Sequence, residues 1–141
     1  MVDQNLINEL KEMREKGASQ PSDSLKMFEF VKQLAEENED LKEELEDIDT
    51  TVVQIVVTDA NYKYWVKMGD GTVDYGEGEG DDPSVTLSAT GATWAGMSAG
   101  EIDSTSAYMS GDLVIDGNLQ DAIAFGEIQS IAMEEGAHYF E

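Results

Sequence analysis

The spacing of apolar residues changes abruptly near residue 50, and this change limits the fold more than any other feature of the chain. Before it, Leu6, Ile7, Leu10 and Met13, and then Met27, Val31, Leu34, Leu41, Leu45 and Ile48, recur at three- and four-residue intervals, the period of a helix. After it, Val53, Ile55 and Val57 alternate with their neighbours, as do Tyr62, Tyr64, Val66 and Met68, the period of a half-buried strand. "GDG" at 69–71 supplies the positive backbone angles of a tight hairpin, with Val73 and Tyr75 on the return strand. Val85 and Leu87 mark a fourth strand, 111–116 a fifth, and helical fragments over 89–109 lie between them. A last helix is expected over about 118–135. Helices, a meander of strands, then helix, strand and helix predict an α+β fold: a five-stranded, mostly antiparallel sheet covered on one face by helices.

Ahead of this body, residues 3–16 predict a helix with Asp3 as its cap and Gly17 as its stop. "GASQPSDS" (17–24) reads as a turn-rich connector with Ser22 and Asp23 as caps for the next helix. The expected division is an N-terminal helical extension and linker at 1–23 and one domain at 24–141.

The second helix, expected over 24–48, admits two readings. Met27, Val31, Leu34, Asn38, Leu41, Leu45 and Ile48 are spaced by 4, 3, 4, 3, 4 and 3 residues, a heptad that puts Asn38 among the a positions with Val31 and Leu45. A lone buried Asn at such a position sets register in parallel coiled coils. A homodimer through Val31, Leu34, Asn38, Leu41 and Leu45 is therefore one reading. The other is that the same stripe packs on the chain's own sheet, as amphipathic helices do.

Charge narrows the partners. Among 141 residues, 31 are Asp or Glu and 8 are Lys or Arg, a net charge of −23. Such a surface repels nucleic-acid backbones and anionic lipid head groups, and it serves either solubility or life in a salt-rich interior. With 40% apolar residues the chain has a core to bury. There is no cysteine, so disulfides and thiolate chemistry are excluded. No apolar run reaches the roughly 18 residues of a membrane span, and the N-terminus lacks the features of a secretory signal. A cytoplasmic location without stable membrane anchoring is the expectation.

Several motifs resemble catalytic sites. "GMSAG" (96–100) fits the pattern of a nucleophile elbow around Ser98, with His138 downstream, but the residues before it read as helix rather than strand. "GEGEG" (76–80) carries Glu77 and Glu79, which repel the phosphate such loops cradle, and reads as a flexible hairpin extension. Asp70, Asp74, Asp81 and Asp82 lack the spacing of a calcium loop. No metal site, cofactor or catalytic residue is expected, and the chain is read as a non-enzyme.

The run 85–128 resembles the second half of a sterol carrier protein (type 2) lipid-binding domain. The features follow in order: a strand, a helix with Trp94, a second short helix, Tyr108 two residues before Ser110-Gly111, the string Gly111, Leu113, Ile115, Gly117, Asn118, and a long apolar helix. Residues 24–136 fit the family's order of elements. The resemblance implies a non-enzymatic fold whose sheet and helices enclose an apolar tunnel holding a sterol, fatty acid, acyl-CoA or phospholipid. Asp112 and Asp116 stand where relatives commonly carry lysines, which speaks against docking on anionic membranes and against acyl-CoA phosphates.

The residues themselves point the same way. In the last helix Leu119, Ala122 and Ile123 lie on one side and Ala124, Ile128 and Ile131 nearly opposite, so one side is left for a ligand, a partner or the preceding helices. Trp94, Met97, Ile102, Tyr108, Met109, Leu113, Ile115, Leu119, Ile123, Phe125 and Ile128 are the candidate pocket residues, filled core being the plainer alternative for each. Methionine suits a wall that takes chains of varied shape. The expected ligand is a fatty acid, a sterol-like molecule or an isoprenoid.

Overall fold

In the computed structural model, residues 2–16, 24–98 and 101–140 are described, apart from the side chains of Arg14, Ser24 and Ser98. The elements run α1 (Gln4–Lys16), α2 (Ser24–Glu37), α3 (Glu39–Glu46), β1 (Thr51–Val57), β2 (Tyr62–Gly69), β3 (Thr72–Glu77), β4 (Val85–Ala89), α4 (Gly91–Ser98), α5 (Ser104–Ser110), β5 (Val114–Gly117) and α6 (Leu119–Glu135), closing on a 3₁₀ turn at Ala137–Phe140. The stop and connector expected at 17–23 lie outside the described residues.

The five strands form one sheet in the order β3-β2-β1-β4-β5, with β1 and β4 parallel and every other pair antiparallel. The expected α+β fold and mostly antiparallel sheet are found. Asp70 and Gly71 both adopt positive φ, 53° and 78°, the two-residue hairpin that "GDG" predicts. Alternation places Val53, Ile55, Val57, Tyr64, Val66, Met68, Val73, Val85 and Leu87 on one buried face, over which α2, α3 and α6 pack.

The opposite face is not bare. Buried Gln54 donates from Nε2 to the carbonyls of Tyr64 and Gly78, each at 3.0 Å, and its Oε1 accepts from the Gly80 amide at 2.7 Å. A loop expected to be flexible is thereby tied back over the sheet. Trp65 fills the space beneath it: a Cβ on Gly76 would lie 2.6 Å from the indole ring, so only glycine fits there.

The expected helix over 24–48 is two helices. Asn38 breaks it, with extended angles (φ −100°, ψ 113°) and a side chain that accepts from the Leu41 amide at 2.9 Å, capping α3. The reason is local: an Asn amide competes for backbone groups and so favours a cap over a helix interior. Its Nδ2 also donates to Glu135 on α6 at 3.1 Å. The heptad is thus interrupted at the residue proposed to set its register. Val31, Leu34, Leu41 and Leu45 are all buried in the chain's own core, so the stripe is spent within one molecule and offers no coiled-coil seam.

Helix α1 joins the same core, burying Leu6, Ile7 and Leu10, each contributing about 1.5–3 kcal/mol relative to exposure. The C-terminal turn lies near it: Tyr139 and Phe140 meet the buried Phe30 ring edge-on at 6.0 and 5.3 Å, and the Tyr139 hydroxyl donates to Glu37. That hydrogen bond, with partial burial, raises the Tyr139 pKa above the usual phenol value.

Candidate apolar site at the end of the sheet

β5 begins later than expected. Gly111, with φ 88°, is the C-cap of α5, so 111–113 form a turn and the strand starts at Val114. Leu113 is buried and its amide donates to the Ala107 carbonyl at 3.0 Å, which fastens α5 to the strand. On β5 the alternation turns Ile115 toward the core, opposite Leu87, and leaves Val114 and Asp116 on the other face.

The corner into α6 is built from Gly117 and Asn118. Gly117 has φ 119°, and a Cβ there would stand 2.5 Å from the Ser84 carbonyl oxygen and 2.9 Å from the Val85 Cα. The conformation and the close approach both demand glycine. The Asn118 amide donates to the Ser84 carbonyl at 2.9 Å, and its side chain accepts from the Asp121 amide at 3.2 Å. Strand five is thereby pinned to β4 while α6 folds back across the sheet.

Helix α6 has two apolar aspects with different fates. Phe125, Ile128 and Ala132 are buried. Phe125 stacks on Phe28 of α2 at 5.9 Å between ring centroids, and Phe28 meets Tyr64 of β2 at 5.7 Å. Leu119 and Ile123 remain 46% and 48% exposed. With Tyr108 at 46%, Met109 at 80% and Val114 at 54% they are the exposed large hydrophobic residues among those described. All five fall between positions 108 and 123.

The eleven candidate pocket residues therefore divide. Leu113, Phe125 and Ile128 are core; Trp94, Met97, Ile102 and Ile115 are half-buried against it; Tyr108, Met109, Leu119 and Ile123 are exposed. Trp94 is fixed by its indole N–H, which donates to the Val56 carbonyl at 3.0 Å, and Ile102 is seated against Gly96. Between sheet and helices, where an open tunnel is expected, the rings of Phe28, Tyr64 and Phe125 lie against one another among the described residues, and an open tunnel is not shown. An apolar gap there would forfeit dispersion contacts along its whole lining. Two surface depressions among the described residues lie elsewhere, one at the β2–β3 hairpin around Lys67 and Asp74 and one on the outer face around Gln54 and Lys63. Phe28 and Tyr64 were missed from the sequence, although Phe28 belongs to the apolar stripe of α2; Val114 was missed because alternation counts it as a solvent position.

Ser98 is the last residue of α4, not the turn between a strand and a helix, and 99–100 lie outside the described residues. Among the described residues no group of three or more Asp, Glu or His gathers closely enough to hold a metal ion. No described helix is long and apolar enough to cross a membrane.

The SCP-2 sterol transfer family matches residues 31–130, and the chain belongs to that family. Helix α1 and the C-terminal turn lie outside the matched segment. Among solved structures, a UbiJ-SCP2 ubiquinone synthesis protein superimposes with a TM-score of 0.63 at 16% identity, covering 82% of this chain and 94% of that one. Palmitated SCP2L2 from Aedes aegypti gives 0.56 at 17% identity, covering 73% and 90%. The sec-alkylsulfatase Pisa1 from Pseudomonas sp. gives 0.50 at 20% identity, but the match covers 57% of this chain and only 12% of the sulfatase. These likenesses establish a shared fold. A search of curated proteins by sequence returned no match.

Proposed function

We propose that the protein is a non-enzymatic carrier that binds one lipid or other hydrophobic molecule against the apolar segment 102–128 and exchanges it without stable membrane anchoring. One observation carries the reading: the exposed large hydrophobic residues of the described chain are confined to positions 108–123, inside the segment matched to a sterol transfer family. Large exposed apolar side chains gathered in one segment, four of them on the helices α5 and α6, support reading it as a binding surface. The half-buried Trp94, Met97, Ile102 and Ile115 supply a yielding wall behind it, and movement of Phe125 and Phe28 would open the layer beneath.

The energetics suffice without a head-group reader. Each methylene removed from water contributes about 0.8 kcal/mol, so ten of them give roughly 8 kcal/mol before ordering costs. A fatty acid, a sterol-like molecule and an isoprenoid all meet that requirement, and the bound palmitate named for the Aedes aegypti relative is one such molecule. Native mass spectrometry of the purified protein, before and after delipidation, tests the proposal. The expected result is a one-to-one adduct that delipidation removes and an added amphiphile restores. A mass equal to the bare chain throughout, with no uptake of any amphiphile, refutes it.

A further inference from the structure

Along the sequence, the apolar segment is flanked by charges of one sign. Every Lys and Arg of the chain lies between Lys11 and Lys67, and residues 68–141 contain neither. The charged residues over 101–127 are Glu101, Asp103, Asp112, Asp116, Asp121 and Glu127, all acidic. Among the described residues none of these six makes an ion pair; lysine pairs are formed with Glu12, Glu9, Asp74 and Glu79, among others. Among the described residues Asp103 and Asp112 accept hydrogen bonds from the nearby Ser106 and Ser110 and from no cationic group.

Two of the carboxylates stand beside exposed apolar side chains by construction. Asp116 is two residues from Val114 on β5, so both leave the same face of the strand. Leu119, Ile123 and Glu127 are spaced four apart and form one stripe along α6, apolar at its start and ending in a carboxylate. Asp121, in the first turn of α6, is two residues from both Leu119 and Ile123 and so lies on another side of the helix. The N-terminus of α6 would otherwise attract an anion, but the Asn118 side chain already takes the Asp121 amide and the Asp121 carboxylate adds its own negative charge. The lysines of the sheet, Lys63 and Lys67, are on β2, three strands from β5. That is roughly 14 Å at the spacing of neighbouring strands, beyond the Debye length of about 8 Å at physiological salt.

We infer that this site selects its amphiphile by head-group charge, taking a protonated amine before an uncharged head and either of these before a carboxylate or phosphate on the same tail. The inference rests on the carrier function proposed above. The tail supplies affinity common to all three classes, and the acidic surround separates them.

The test uses the full chain with dodecylamine, dodecan-1-ol and laurate, each below its micelle concentration at neutral pH, followed by tryptophan fluorescence and native mass spectrometry. At about 10 mM salt each step of the series should weaken binding on the order of tenfold, and at 1 M salt, where the Debye length is ~3 Å, the steps should shrink below about twofold. The triple variant Asp112→Asn, Asp116→Asn, Glu127→Gln should lose most of the spread. A control with the same net charge, Asp40→Asn, Glu43→Gln, Glu44→Gln on the exposed face of α3, should keep it. Circular dichroism checks that both variants fold. Equal binding of the three amphiphiles, or tightest binding of laurate, overturns the inference while leaving the carrier reading intact. So does an equal loss of spread in both variants, or amine uptake with no one-to-one species, because either result means attraction to net charge alone. Failure of all three amphiphiles to bind overturns the carrier reading itself.

Discussion

Helices α2 and α3 and the segment from α5 to the start of α6 each carry large apolar side chains among polar ones, and those side chains end differently. Phe30, Leu34, Leu41 and Leu45 of the first pair are at most 1% exposed. In the second region Tyr108, Met109, Leu119 and Ile123 are about half exposed or more. The first pair lies along β3 and against α6, so its apolar stripe meets an apolar surface of the same molecule. Helix α5 buries only Ala107, and at the start of α6 Leu119 and Ile123 are left about half exposed. An apolar stripe left over at a sheet end is a place to hold something else.

Breaking the filled side should have the largest effect. Phe30→Ala is expected to cost about 3–5 kcal/mol, because the ring is fully enclosed and its loss leaves a cavity between α2 and the C-terminal turn; urea unfolding measures it, and a cost below about 1 kcal/mol would show that this side is not packed as described. Gly117→Ala, at the corner between the two kinds of surface, should cost about 2–3 kcal/mol through an unfavourable backbone conformation and the clash with Ser84. The same variant tests whether the corner also positions the site, since lipid uptake should fall even at temperatures where the variant is folded.

The open side should behave in the opposite way. The double variant Met109→Ser, Ile123→Ser is expected to leave stability within about 0.5 kcal/mol, as exposed positions do, and to weaken lipid uptake roughly tenfold, the equivalent of about 1.4 kcal/mol of lost apolar contact. A large loss of stability with unchanged uptake would make these residues core and collapse the comparison.

The smallest effect concerns a tie on the filled side. The Tyr75 hydroxyl on β3 donates to the Glu29 carboxylate on α2 at 2.5 Å, and partial burial followed by that hydrogen bond pushes its pKa up to about 12. Because the folded value lies above the unfolded value of about 10, the contribution is complete below pH ~10 and is lost as pH rises through ~12. Tyr62, which donates to Glu77 at 3.0 Å, is shifted to about 12 by burial and the same kind of contact. Stability of the parent protein should fall across that window, and Tyr75→Phe should start lower and fall less steeply. An unchanged slope would mean that the α2–β3 tie carries no linked proton.

Much of the architecture could be read from residue order because the relevant forces are local. The change of period near residue 50, the Asp70-Gly71 hairpin and the Gly117-Asn118 corner each follow from backbone preferences or from which face of an element is apolar. The single sign of charge after Lys67 is likewise a property of the sequence alone. Tertiary structure decided what covers each apolar face. The 4-3 spacing of α2 and α3 fits a coiled-coil seam and an internal core equally well, since periodicity reports that a stripe is apolar and not what meets it; the sheet and α6 settled that, and Asn38 became a helix cap. Gln54 reads as a polar position on an alternating strand, yet it is buried because a loop more than twenty residues later returns to it. The eleven candidate residues looked alike in sequence and separated into core, wall and exposed surface only when the sheet ran out beside β5. Burial is a relation between distant parts of the chain, and it exists only once those parts have met.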